Sequence, residues 1–237
     1  MTLRAVAAVV LAVSASAEAA PVSFPALFGN LSALATFDTD VTGTQLIVTL
    51  TNTSAADVTV SSQILTAVFW DIMGSTPSLT RVSAMLASGS TVIDGVTDPG
   101  GVVGGEWAYR GDLNSNSPPN RQFGISSSGL NLFGPPDLFP GTDLDPPVSP
   151  DGVNYGITSA GDDPSTGNGG LLGKPLIQNS VVFTLGGLPP GFDPLTSIKN
   201  VVFQYGTNLS DTRIPEPGTL ALLGCGLLLV RRARRRA

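Results

Sequence analysis

Short stretches of alternating apolar and polar residues run along most of this chain. Leu46, Val48 and Leu50 fall on one side of residues 44–51, with Gln45, Thr49 and Thr51 mostly polar opposite. Val181, Phe183 and Leu185 share a face, as do Val201, Phe203 and Tyr205. Period-two runs rich in Val, Ile, Thr and Phe predict β-strands. Residues 64–72 differ, because Ile64, Val68, Trp70 and Ile72 alternate with Leu65, Ala67 and Phe69. A strand apolar on both faces is expected in the middle of a sheet. Further strands are expected at 31–37, 79–86, 105–109, 123–125 and 153–157. No stretch between Pro21 and Arg213 keeps a helical apolar period over three turns. The pattern predicts a single all-β sandwich, jelly-roll-like, of about nine short strands.

The connections are long and rich in Gly, Pro and Asp. Residues 111–120 and 134–150 leave no room for regular structure, and 162–173 forms a third, glycine-rich loop. Loops of this length in a compact domain carry function or lack a fixed form. The glycines of 100–105 are not a phosphate-binding loop, since neither the Gly-Lys-Ser/Thr ending nor a helix follows.

Both ends depart from the sandwich pattern. Residues 1–19 hold one basic residue, Arg4, then an apolar stretch at 5–13 and small residues at Ala15, Ala17 and Ala19. This is the layout of a secretory signal peptide, cut by signal peptidase after Ala17 or Ala19. At the other end, Pro215-Glu216-Pro217 precedes a twelve-residue apolar run, 219–230, and then Arg231, Arg232, Arg234, Arg235 and Arg236. As a helix that run extends about 18 Å. It is short against the twenty or so residues that span a hydrocarbon core of about 30 Å. The five arginines favour the cytoplasmic side. The expected organisation is a signal peptide at 1–19, a β-sandwich body at 20–213 and a C-terminal signal with a short hydrophobic helix at 214–237.

The Pro-Glu-Pro, apolar and arginine elements, in that order, resemble the PEP-CTERM sorting signal of bacterial exosortase substrates. The resemblance implies recognition by a membrane-embedded exosortase near Pro215, Glu216 and Pro217. It also implies membrane insertion of the C-terminal helix, as a transient or a retained anchor, with the arginines held on the cytoplasmic side. Segments 50–54, 65–72, 104–110 and 201–206 together resemble the bodies of small exosortase-dependent surface proteins of environmental bacteria. That likeness implies an exported, β-rich protein at the cell surface or among extracellular polysaccharide in a biofilm. It implies no catalytic activity.

Charge and composition narrow the chemistry. Outside the two terminal signals, six basic residues face sixteen acidic ones, so nucleic acid is excluded as a partner. The chain has no histidine and one cysteine, Cys225, inside the apolar tail. Ser-His-Asp and Cys-His catalysis are therefore excluded, as is an intramolecular disulfide. Glu106 is the one acid that suggests a glycosidase carboxylate, yet several aspartates compete as its partner and none is indicated. The expectation is a protein that is not an enzyme and has no obligatory cofactor.

Two binding sites remain as expectations. Trp107 and Tyr109 share a strand face beside Glu106. They form either a carbohydrate-binding platform or the edge of the core, and the sequence leaves both open. Asp112, Asn114 and Asn116 have the alternating oxygen spacing that opens a Ca2+ loop. The later positions hold Ser117 and Phe123, where such a loop needs Gly and an acid, so an EF-hand is ruled out. The pairs Asp38/Asp40, Asp143/Asp145 and Asp162/Asp163 are the other weak Ca2+ candidates, against an ordinary role in capping turns.

Overall fold

The computed structural model describes residues 19–74, 76–113, 116, 118–144 and 148–216. The signal-peptide residues 1–18, Pro217, the apolar run and the arginine cluster lie outside the described residues. Among the described residues no helix is long and apolar enough to cross a membrane.

Two sheets face each other, as the alternation predicts. The first has the order β1-β2-β3-β11-β5, built from Val22–Phe28, Leu31–Thr39, Gln45–Asn52, Ser180–Gly186 and Thr80–Leu86. The second has β13-β12-β4-β9-β10-β6, from Arg213–Pro215, Ile198–Tyr205, Leu65–Ile72, Ile157–Thr158, Leu176–Gln178 and Thr91–Ile93. β7 (Ala108–Arg110) pairs with β8 (Phe123–Ser126), and β8 pairs with β4. Phe37, Val48, Phe183, Trp70, Trp107 and Phe203 meet in the shared core, all fully enclosed. Phe37 packs edge-on against Trp70, their ring centres 5.4 Å apart. Each such side chain contributes about 1.5–3 kcal/mol through removal of apolar area from water.

β4 is central and apolar on both faces, and the structure supplies a cover for each. Val68, Trp70 and Ile72 point into the shared core, while Ala67 and Phe69 enter a second cluster with Leu130 and Phe133. That second layer is the segment following β8, which folds back over the outside of the sheet. The outer face of the first sheet is instead hydroxylated. Ser23 and Thr36 pair across strands at 2.8 Å, and Ser32 and Thr53 at 2.6 Å.

Three departures from the sequence reading have local causes. The strand expected at 105–109 is a 3-10 turn, Gly104–Glu106, before β7. A Cβ at Gly104 would overlap the Pro140 carbonyl, so the glycine pair lets the 140–144 loop lie directly on the backbone. The strand expected at 153–157 shrinks to Ile157–Thr158, because Tyr155 adopts a φ of 55° and turns the chain. At the C-terminus the sheet continues beyond residue 213. β13 reaches Pro215 and pairs with β12, Phe203 opposite Ile214.

Candidate functional site

Trp107 and Tyr109 do not form a platform. Trp107 is 0% exposed and Tyr109 3%, because the first sheet closes over the face they share. The Trp107 ring sits 4.9 Å from Phe183 of that sheet, and Tyr109 stacks on Trp70 at 6.4 Å. Glu106 is 4% exposed beneath the 140–144 loop and cannot reach a sugar lying on the surface. The core-edge alternative holds.

The Ca2+ candidate meets a competing cation. Arg110 Nε donates to Asp112 Oδ1 at 2.8 Å and Nη2 to Oδ2 at 2.7 Å. This two-pronged hydrogen bond holds the Asp112 carboxyl below the usual carboxylate range. Both oxygens a Ca2+ ion would need are thus engaged by a guanidinium. Asn114 lies outside the described residues, and Asn116 is exposed. No group of three or more metal-ligating acids occurs among the described residues. Asp40 caps the β2–β3 turn, accepting from the backbone N–H of Thr44 at 2.8 Å and Gln45 at 2.7 Å. Asp163 caps a 3-10 turn, and Asp162 accepts from the Val58 N–H at 2.6 Å.

Arg110 and Asp112 nevertheless belong to a site that sequence reasoning missed. A cleft of about 300 Å³ opens where the β5 edge of the first sheet meets β7 of the second. Leu79, Arg81, Tyr109, Arg110, Asp112 and Asp137 line it. Arg81 Nη1 stands 3.7 Å from Asp137 Oδ1, and Arg110 Nε 4.0 Å from Asp137 Oδ2. Both separations are too long for hydrogen bonds. The Tyr109 hydroxyl, at the inner wall, has no hydrogen-bond partner among the described residues. Burial drives its pKa well above the ordinary tyrosine range. The phenol lies against Gly111, where a Cβ would stand 2.5 Å from Oη. Tyr109 and Asp112 were singled out in the sequence for other roles, and Arg81 is the one charge in strand 80–86.

A larger hollow, about 880 Å³, lies at the end of the sandwich between residues 39–44 and 188–195. Its carboxylates are already committed to their own turns. Asp40 is occupied as above, and Asp193 accepts from Leu195 N and Thr196 Oγ1, each at 3.0 Å. This hollow is wider but chemically quieter than the cleft.

Of the Pro-Glu-Pro motif, Pro215 and Glu216 are part of the folded body. Glu216 N–H donates to the Val201 carbonyl at 2.9 Å, and its Oε1 accepts from Asn200 N–H at 3.1 Å. Burial raises the Glu216 pKa despite those donors and the nearby Lys199 and Arg121. Ile214, between them and β12, is 4% exposed and joins the shared core. Comparison of the chain with protein-family models, curated proteins and solved structures finds no match.

Proposed function

We propose that this chain is a non-enzymatic, exported β-sandwich of the cell surface or extracellular matrix, sorted through its C-terminal signal and associated with exopolysaccharide. One observation supports the sorting reading best. The body ends in a docked edge strand, β13, whose last residue is the first proline of the Pro-Glu-Pro motif. Pro215 and Glu216, the first two residues of the motif, therefore lie at the sheet edge. An enzyme working at the membrane surface would meet a folded domain with its recognition sequence at a fixed place.

The docked strand also favours a processing point beyond it. A cut before Ile214 would strip an enclosed residue from the core, and a cut before Glu216 would remove two hydrogen bonds to β12. The mature product accordingly ends at or beyond Glu216. Intact mass of the protein recovered from the outer surface of its host tests this. A product ending between Glu216 and the start of the apolar run supports the proposal. Retention of residues 219–237 would remove processing from it.

A further inference from the structure

We propose that the cleft between β5 and β7 is a binding subsite for a neutral saccharide unit, gripped through a pair of adjacent hydroxyls. The argument begins with what its side chains leave unmade. Among the described residues, the Arg81 guanidinium makes no hydrogen bond and has only the 3.7 Å ion pair with Asp137. The Asp137 carboxylate is likewise held by charge alone, at 3.7 and 4.0 Å from two guanidinium groups. By contrast, Arg110 at the end of β7 and Asp112 two residues later close to 2.7 Å. The same chain thus makes one tight arginine–aspartate pair and one open pair within a single cleft. The Tyr109 hydroxyl adds a buried group without a partner at the inner wall.

The vacant chemistry selects the ligand class. Arg81 offers donors and Asp137 offers acceptors. A vicinal diol presents the complement, one oxygen accepting from the guanidinium while a neighbouring O–H donates to the carboxylate. The cleft holds two arginines and two aspartates, so it has no net charge to attract an anion. A uronate or phosphate would face Asp112 and Asp137 at short range, and a cation would face both arginines. Pro77 supplies an apolar contact for the C–H surface of a sugar ring, and about 300 Å³ accommodates one such ring. This inference does not depend on C-terminal sorting. It deepens the exopolysaccharide part of the proposed function by giving it a location away from Trp107.

The test is saturation-transfer NMR and calorimetry on the full-length protein with methyl α-glucoside, methyl α-mannoside and methyl α-galactoside. Glucuronate serves as the anionic control. At least one neutral glycoside is expected to bind with a dissociation constant of order 1 mM. Arg81→Gln and Asp137→Asn should each weaken that binding tenfold or more. Arg213→Gln, on the other sheet's edge, should leave it unchanged. Melting temperature is read alongside, and Arg81→Gln, at a partly exposed edge position, provides the arm least prone to folding failure. Absence of binding by all three glycosides overturns the proposal. So does equal affinity in wild type and Arg81→Gln, or a preference for glucuronate.

Discussion

Replacing Tyr109 with Phe tests whether the phenol belongs to the fold or is held in reserve for a ligand. Its ring is enclosed and stacks on Trp70, contacts that phenylalanine keeps without opening a cavity. Only Oη is lost, and Oη has no partner among the described residues. Leaving a buried hydroxyl unpaired costs about 1–3 kcal/mol, so its removal should stabilise the protein by roughly that amount. For a domain of this size each kcal/mol shifts the melting temperature by about 2–4 °C. An increase of roughly 2–12 °C is therefore expected in a thermal melt. Tyr155 supplies the internal control. It is 2% exposed in the same core, but its hydroxyl donates to the Val96 carbonyl at 2.8 Å. Tyr155→Phe should lower stability by about 1 kcal/mol, because that hydrogen bond disappears and the carbonyl is left behind. Two identical substitutions in one core should thus move the melting temperature in opposite directions. If Tyr109→Phe destabilises as much as Tyr155→Phe, the hydroxyl is already satisfied and the inner wall of the cleft has been misread.

Four further outcomes follow from the same geometry. Gly111→Ala should destabilise by about 1–3 kcal/mol through overpacking, since its Cβ would stand 2.5 Å from Tyr109 Oη. Much of that loss should return in the double variant with Tyr109→Phe, as a double-mutant cycle by chemical denaturation would read. Ile214→Ala should cost about 2–3 kcal/mol and make the C-terminal strand sensitive to limited proteolysis, whereas unchanged stability would mean β13 is not docked. Glu216 has a raised folded-state pKa, so the native state holds its proton more tightly than the unfolded chain. Stability from this group should fall as pH rises above about 4.3, and Glu216→Gln should abolish that slope in melts across pH 4–7. Finally, millimolar Ca2+ should not raise the melting temperature of the wild type, because Arg110 occupies both Asp112 oxygens. A clear rise would show that a cation displaces the guanidinium.

What the sequence disclosed, it disclosed through local pattern. β4 was legible as a central strand because both its faces are covered, one by the opposing sheet and the other by Leu130 and Phe133. β3, β11 and β12 were legible because their alternation is clean. β1 was not, since Pro25 in its middle reads as a breaker and is tolerated only because β1 lies at a sheet edge. β13 was hidden for a similar reason, being a three-residue edge strand that ends in proline. The shared face of Trp107 and Tyr109 was correctly paired. Whether it met water or a second sheet depended on Phe183, which arrives from far along the chain. The cleft was beyond reach for the same reason. Arg81, Tyr109 and Asp137 come from three separate segments, and only the meeting of the two sheets brings them together.

The architecture explains how such a cleft stays open. Asp137 is fixed to the second sheet, because Tyr109 N–H donates to its carbonyl at 2.9 Å and Leu138 bridges to Ala108. Arg110 is fixed there too, its Nη1 donating to the Leu132 carbonyl at 2.9 Å while the rest of the fork holds Asp112. Arg81 belongs to the other sheet, so its distance to Asp137 is set by the packing of the shared core rather than by the pair itself. An exposed ion pair contributes at most about 1 kcal/mol, too little to draw two packed sheets together. At 3.7 Å the pair leaves sites on both groups for a ligand that bridges them. A ligand that does so gains donors and acceptors already positioned, and it need not order them first. An Arg81→Lys variant separates this view from simple charge pairing. A lysine keeps the charge but lacks the planar fork, so it should preserve the melting temperature while losing most of the glycoside affinity. Full affinity in Arg81→Lys would show that the charge alone suffices.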